Sequence, residues 1–483
     1  MIARAVTLRP PRSLTVAARG TAVAALAVLL AGGIADVVVA RPRLISVVLA
    51  GAVGLALGLV ALREPHHAVL ALFALLPFLA LGRRMLIASA GWHSADPLLL
   101  VAPGVALLLL TAARPKVSAG DRLSKAVIAF VALAVLESAN PAGGGLLAGP
   151  VGLLFVVAPL LWFFVGRNAI DGRTARRLLS LVLVLAPVVA LYGIRQTRTG
   201  LFSWDEAWLR VSGYQALHVG DVIRAFGTFS SSAEYALYMA IAVVVALAFA
   251  MHGRIWTLVI VPLLVWAIFI DSSRGIVVLM LGTTIVLVGM RTRRLVVAYA
   301  TVAVGLLVVG MTVHTYSGSL NTWASGSGNP LIEHQIGGLT NPLDSQQSTL
   351  SAHWHLFVGG LGESLRHPIG LGTGSTNLAG SRFGGVTAGT EVDLSNAFVG
   401  LGVGGGVLFV AILGVTLRRV AVLYLGRGDP VLLAASGLLF VTLGQWLNGG
   451  YYAVAPLVWL VVGWIESEWR LHTRSRAPRR LSD

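Results

Sequence analysis

Apolar residues in this chain fall in long runs separated by short polar stretches. Runs of roughly 17–25 residues, enough to cross a bilayer as a helix, lie near 20–40, 43–62, 66–82, 95–113, 121–138, 144–166, 176–194, 231–251, 254–271, 274–290, 294–315, 395–417, 430–447 and 450–466. The third and fifth are the weakest, so the pattern predicts twelve to fourteen spans. Both counts are even, which puts both termini on one side. The expected fold class is an all-α polytopic membrane protein of 12–14 transmembrane helices, with a large extracytoplasmic loop between the span ending near 315 and the one starting near 395. No 20–50-residue repeat interrupts the pattern, which divides into N-terminal scaffold helices (1–194), a core that includes the loop (195–417) and C-terminal helices with a basic tail (418–483).

One stretch breaks the apolar rhythm. Residues 316–394 are rich in Gly, Ser, Thr and Asn and carry carboxylates, with His334, His353, His355 and His367 inside the stretch and His314 just before it. A polar segment of that length between spans is more often functional or disordered than a plain connector. It reads as the lid or floor of an active site, with the spans as its scaffold.

Composition supports the membrane class. The 483 residues are 56% apolar and 12% charged, with a mean hydropathy of +0.83, too apolar for a soluble domain. No cysteine is present, which excludes a disulfide framework and a cysteine zinc site. The net charge of +16 would suit nucleic acid, but the arginines lie in short loops and at the two ends. That distribution is an orientation signal and a contact for anionic membrane lipids, so nucleic acid is not an expected partner. With the N-terminus inside, 25 of the 36 Lys and Arg fall on inner segments and 11 on outer ones. The expected location is a bacterial cell membrane with both termini cytoplasmic. Residues 1–40 resemble a signal peptide but read as a retained first helix, because their apolar run is long enough to span and further spans follow at once.

Arginines on the outer side run against this bias. Arg41, Arg43, Arg83 and Arg84 adjoin span ends, where snorkelling accounts for them. Arg224 precedes the Ser-x-x-Glu spacing of Ser231 and Glu234, a helix-start signal. It is either solvated beside a capped helix or joins that helix start in facing an anion, with Gly227 allowing close backbone approach. Arg274 stands at another helix start, where the dipole disfavours a cation; a salt bridge to Asp271 or a bound phosphate would each explain it. Arg195, next to Gln196, either snorkels or serves the same anion. Guanidinium groups pair bidentately with phosphate oxygens, so arginines at separate outer helix starts suit a diphosphate, the leaving group of lipid-linked sugars.

The order ALYGIRQ, RAFGTFSSSAEYALYMA, IDSSRG, then a long outer loop ending in WHLFVGGLGESLRHPIGLGTGS and DLSNAFVGLGVGGGVLF resembles the O-antigen ligase and polymerase superfamily of bacterial membrane glycosyltransferases over about residues 185–417. The resemblance implies transfer of a glycan from an undecaprenyl-diphosphate carrier to a glycan or lipid acceptor hydroxyl, with no cofactor. It also implies that Arg224 and Arg274 hold the diphosphate, and His367-Pro368 followed by GLGTG matches the family's loop segment. Ligases carry His-Asn at the end of that loop, its histidine being the proposed base, where this chain has Ser395-Asn396. A polymerase-like or divergent member fits that change better.

The base is then sought in Asp393, Glu391, His353 and His355, since transfer requires an acceptor proton to be taken up. Each has a plainer account. His353 and His355 are two apart and point to different faces of a helix, one of them as a surface residue. His367 suits a helix end, and Asp393 suits an N-cap. Glu391 and Asp393 together would be a weak divalent site; the arginine route needs no metal. A transporter or flippase is the alternative reading, and it predicts ionisable groups in spans, discontinuous helices and an internal repeat. A cell-wall polymerase of the shape, elongation and division type matches the motif order less well.

Overall fold

The computed structural model describes residues 44–92, 96–112, 122–144, 147–212, 218–219, 222–341 and 350–476. The first expected span, 20–40, lies outside them, as do Arg41 and Arg43. Every other expected span contains a helix, although the run at 430–447 leaves its helix after Val441, and the described chain is mostly helical. The α-helices of five residues or more are α1 Leu44–Arg63, α2 Pro65–Met85, α3 Val101–Ala112, α4 Arg122–Glu137, α5 Ala148–Ala169, α6 Gly172–Thr199, α7 Ser203–Ser212, α8 Ser232–Ala250, α9 Val261–Ile270, α10 Arg274–Thr292, α11 Leu295–Thr315, α12 Ser317–Gly326, α13 Pro330–Thr340, α14 Leu350–Arg366, α15 Leu378–Arg382, α16 Asp393–Arg427, α17 Pro430–Val441 and α18 Val454–Arg476. A two-residue hairpin, His218–Val219 with Val222–Ile223, precedes Arg224.

Seven of these helices (α1, α2, α5, α6, α8, α10 and α16) are long and apolar enough to cross a membrane, and an eighth span results if residues 303–326, bent by 66°, count as one. The runs near 95–113, 254–271 and 430–447 form shorter apolar helices, and α4 has 16 residues.

Start and stop signals set the helix ends. Ser231 Oγ accepts from the Glu234 amide at 3.1 Å and caps α8. Asp171 caps α6 through Thr174, and Asp429 caps α17 through Val431.

The innermost packing is made by α8, which is buried along nearly its whole length against α6, α9 and α17. The backbones of α5 and α18 approach closely. A Cβ added at Gly463 would stand 1.9 Å from the Phe163 carbonyl oxygen, and one at Gly166 would stand 2.0 Å from that of Leu460. Small residues allow this contact where lipid supplies no hydrophobic drive between helices. Two buried tryptophans complete that corner with their polar ends satisfied: Trp459 Nε1 donates to the Trp446 carbonyl at 2.7 Å, and Trp446 Nε1 donates to Thr442 Oγ1 at 3.1 Å.

The polar stretch is itself largely helical, as α12 to α15, and its end docks into the bundle. α16 breaks at Gly402, whose φ is +67°. The break frees backbone groups that the incoming glycine-rich turn takes up: the Leu371 amide donates to the Val399 carbonyl at 2.9 Å, and the Val403 amide donates to that of Pro368 at 3.0 Å. The turn is pinned from the other side as well, by Asn140 Nδ2 on the Gly370 carbonyl at 2.9 Å and Thr373 Oγ1 on that of Gly149 at 2.8 Å.

Candidate functional site

The site is built on the tight turn between α9 and α10. Ser272 takes φ +60° there, a left-handed conformation rare for a non-glycine residue. Its hydroxyl donates to Gln335 Oε1 at 3.2 Å, which ties the turn to α13 in the polar stretch. Arg224 reaches this turn from the hairpin side. Its Nε donates to the Asp271 carbonyl at 2.6 Å, and its Nη2 donates to Ser273 Oγ at 2.6 Å and faces Asp271 Oδ2 at 3.4 Å. Ser273 Oγ also hydrogen-bonds Asp271 Oδ2. The Arg224 side chain keeps 17% exposure, while that of Asp271 is fully buried.

Arg274 follows directly and turns to His334 on α13, donating from Nη2 to Nε2 at 2.6 Å. The salt bridge weighed for Arg274 is therefore made by Arg224, because Asp271 faces back toward the hairpin. The two arginines do meet at one turn, within range of a third group: burial, then Arg274 and Arg224, hold the His334 imidazole below its ordinary value of 6.5. His334 accepts at Nε2, so the neutral ring carries its proton on Nδ1. A proton added at Nε2 would break that bond and is released more readily in the folded chain than in the unfolded one, so stability held through the Arg274–His334 bond is full above the ordinary imidazole value and lost as pH falls through it toward the lowered one. The thermal midpoint of the purified protein should fall with pH across that window, and the His334→Gln variant, which keeps an acceptor that does not titrate, should lose that part of the slope. Parallel slopes would exclude the bond as the cause.

Arg195 is held elsewhere. It donates from Nη1 to the Gly200 carbonyl at 2.9 Å and lies over the Phe202 ring at 3.3 Å. Its neighbour Gln196 does more. Buried, it accepts the Gly227 amide at 2.8 Å and the Phe226 amide at 3.2 Å, and it donates to Asp205 Oδ2 at 3.0 Å.

Sequence reasoning missed the residues that share this task. Arg83 and Arg84 do not snorkel: they are 5% and 1% exposed. Arg83 Nε pairs with Asp96 Oδ2 at 3.0 Å. Arg84 pairs with Asp205 at 3.1 Å and donates to the carbonyls of Gly227 and Phe229 at 2.7 and 2.8 Å. The segment just after Arg224 is thus gripped from α2 and α6. Gly227, at φ +54°, lies against the Tyr235 ring, which a Cβ would approach to 2.4 Å; its close approach is to that ring. Glu234 turns away from its own helix start and accepts the amides of Ala453 and Val454 at the start of α18, at 2.9 and 3.4 Å. The only hint in the sequence was a pair of arginines at a span end with carboxylates at a distance.

The four base candidates separate. Asp393 is 4% exposed. It caps, but not its own helix: its carboxylate accepts the Leu447 amide at 2.5 Å and its amide donates to the Gly444 carbonyl at 3.0 Å, joining α16 to the α17–α18 connection. Glu391, with φ +65°, meets His353 of α14 at 2.7 Å between Oε2 and Nδ1, both side chains being about half exposed or more. His355 is exposed, about 200° further round the helix axis. His367 pairs with Glu363 one turn back at 3.2 Å, as a helix-end residue would. Ser395 is buried and hydrogen-bonded to Thr390, and Asn396 Oδ1 accepts the Thr390 amide at 2.8 Å. α14 packs on this start of α16, where a Cβ on Gly360 would stand 2.5 Å from Thr390 Cγ2 and 3.3 Å from Ser395 Cβ. An arginine pair at one turn, joined to the polar stretch through His334 and Gln335, is an anion-binding geometry. An imidazole hydrogen-bonded to a carboxylate is a base-and-orienter geometry. No protein-family model matches this chain, and no curated protein matches its sequence.

Proposed function

We propose that this chain is an integral membrane glycosyltransferase of the O-antigen ligase and polymerase type. In this reading it moves or polymerises a glycan from an undecaprenyl-diphosphate carrier onto an acceptor hydroxyl at the extracytoplasmic face of a bacterial cell membrane. In this reading all fourteen apolar runs are spans, the even count leaves both termini on one side, and the excess of Lys and Arg on that side makes it the cytoplasm. The observation that carries the proposal is the meeting of Arg224 and Arg274 at the 271–274 turn, beside the polar stretch. With Asp271 offsetting one of the two cations, the cluster keeps a net positive charge for the diphosphate.

In the reaction the acceptor oxygen forms a bond to the anomeric carbon as the bond from that carbon to the carrier's phosphate oxygen breaks. Arg224 and Arg274 stabilise the charge that develops on the departing diphosphate, as fixed cations in a poorly hydrated site do. His353, oriented by Glu391, takes the acceptor proton. That pair stands in for the histidine absent at Ser395, and α14 brings it to the start of α16. Arg274→Ala should lower glycan assembly by about 100-fold or more in cells whose membranes hold normal amounts of the protein, with the lipid-linked intermediate accumulating. Unchanged product removes Arg274 from the mechanism.

The break of α16 at Gly402 and the 66° bend within residues 303–326 favour a second reading, a transporter or flippase for lipid-linked oligosaccharide or a small molecule. Labelled lipid diphosphate that crosses proteoliposomes without glycan transfer selects it.

A further inference from the structure

A second basic site lies at the other end of α16. There Arg122 at the start of α4, Arg418 and Arg419 on α16, and Arg470 on α18 line one cavity of about 370 Å³ together with Trp469. These residues come from three segments that the charge bias places on the same, inner side, and more than ~30 Å of helix separates them from Asp393 at a rise of ~1.5 Å per residue.

Among the described residues the lining holds four guanidinium groups and no carboxylate. Arg419 is 7% exposed, is ion-paired with the fully buried Glu466 and lies 5.4 Å from the Trp469 ring. It fixes the wall between α16 and α18, while Arg418 and Arg122 are exposed at the rim. Glu466 answers Arg419, and guanidinium groups stay charged at any pH a protein meets, so Arg122, Arg418 and Arg470 around one space give it a positive potential that attracts an anion. At about 30 Å³ per water, the cavity has room for a phosphate group and its ester substituents. Tryptophan beside arginine at a helix end is also the composition of a headgroup-level belt.

We infer that this cavity binds a phosphate monoester or diester, as an anionic phospholipid headgroup or as a soluble phosphate. The site is independent of the glycosyl-transfer reading, because it lies at the opposite end of α16 and shares no residue with it.

The test uses the full chain purified in detergent, washed, and offered phosphatidylglycerol, phosphatidylcholine or inorganic phosphate. Bound lipid is read by native mass spectrometry and thermal midpoint by fluorescence. Wild type should retain phosphatidylglycerol over phosphatidylcholine. The variant R122Q/R418Q/R470Q should lose that retention by about tenfold or more, and R291Q/R293Q/R294Q, with the same charge removed elsewhere, should keep it. Stabilisation by inorganic phosphate without lipid retention, lost in the same variant, assigns the site to a soluble phosphate. If the triple variant does not fold, the single rim change Arg418→Glu replaces it, with a loss of retention expected in the same direction. Equal retention of both lipids with no effect of phosphate, or retention unchanged in the pocket variants, overturns the proposal.

Discussion

Replacing Arg224 with alanine is expected to lower the protein's yield and thermal midpoint and to abolish glycan assembly, for two separable reasons. The structural reason is Asp271. Its carboxylate is fully buried and Arg224 is its counter-ion. Removing one partner of a buried pair leaves an uncompensated charge and costs about 3–5 kcal/mol, a large share of a typical folding free energy. The chemical reason is the loss of one of the two cations that grip the diphosphate. The double variant Arg224→Ala/Asp271→Asn separates them. With the buried charge neutralised, most of the stability should return, because the uncompensated charge accounts for most of the cost. Glycan assembly should stay lost. Assembly restored in the double variant would make Arg224 a purely structural residue and would leave Arg274 to bind the anion alone.

The second large effect is expected at Gly402. Alanine there meets two penalties at once. A backbone at φ +67° and ψ −172° lies in a region essentially confined to glycine and costs a side-chain-bearing residue about 1–3 kcal/mol. The new Cβ would stand 2.2 Å from the Pro368 carbonyl oxygen and 2.3 Å from that of Ile369, and overpacking of that kind adds about 1–3 kcal/mol. Relief requires the glycine-rich turn to leave the break in α16, with loss of the Leu371–Val399 and Val403–Pro368 hydrogen bonds. Because that turn follows α14, the Glu391–His353 pair should be disturbed along with stability. Gly404→Ala is the matched control, since a Cβ there meets only Leu133 Cδ2, at 3.9 Å. Equal thermal midpoints for the two variants in detergent would show that the kink is not held by this contact.

The apolar runs determined the helices. Each run from 43 onward contains a helix, because a backbone without water must satisfy its own hydrogen bonds and a helix does so locally. The start of α8 at Ser231 was legible for the same reason, since a cap is read from residues three apart. The arginines at 224 and 274 could be singled out because they oppose the charge bias. Their partners could not be read. Whether Asp271 would answer Arg224 or Arg274, and whether Arg84 would face lipid or Asp205, depends on contacts across 47 and 121 positions of sequence. The same holds for the glycine-rich turn: its composition marked a turn, but its seat in α16 exists only once Gly402 has broken that helix. Local hydrogen bonding is written in the order of residues. Which buried charge meets which, and which backbone fills a gap in another, follows from how distant helices pack, and the tertiary structure alone decided those pairings.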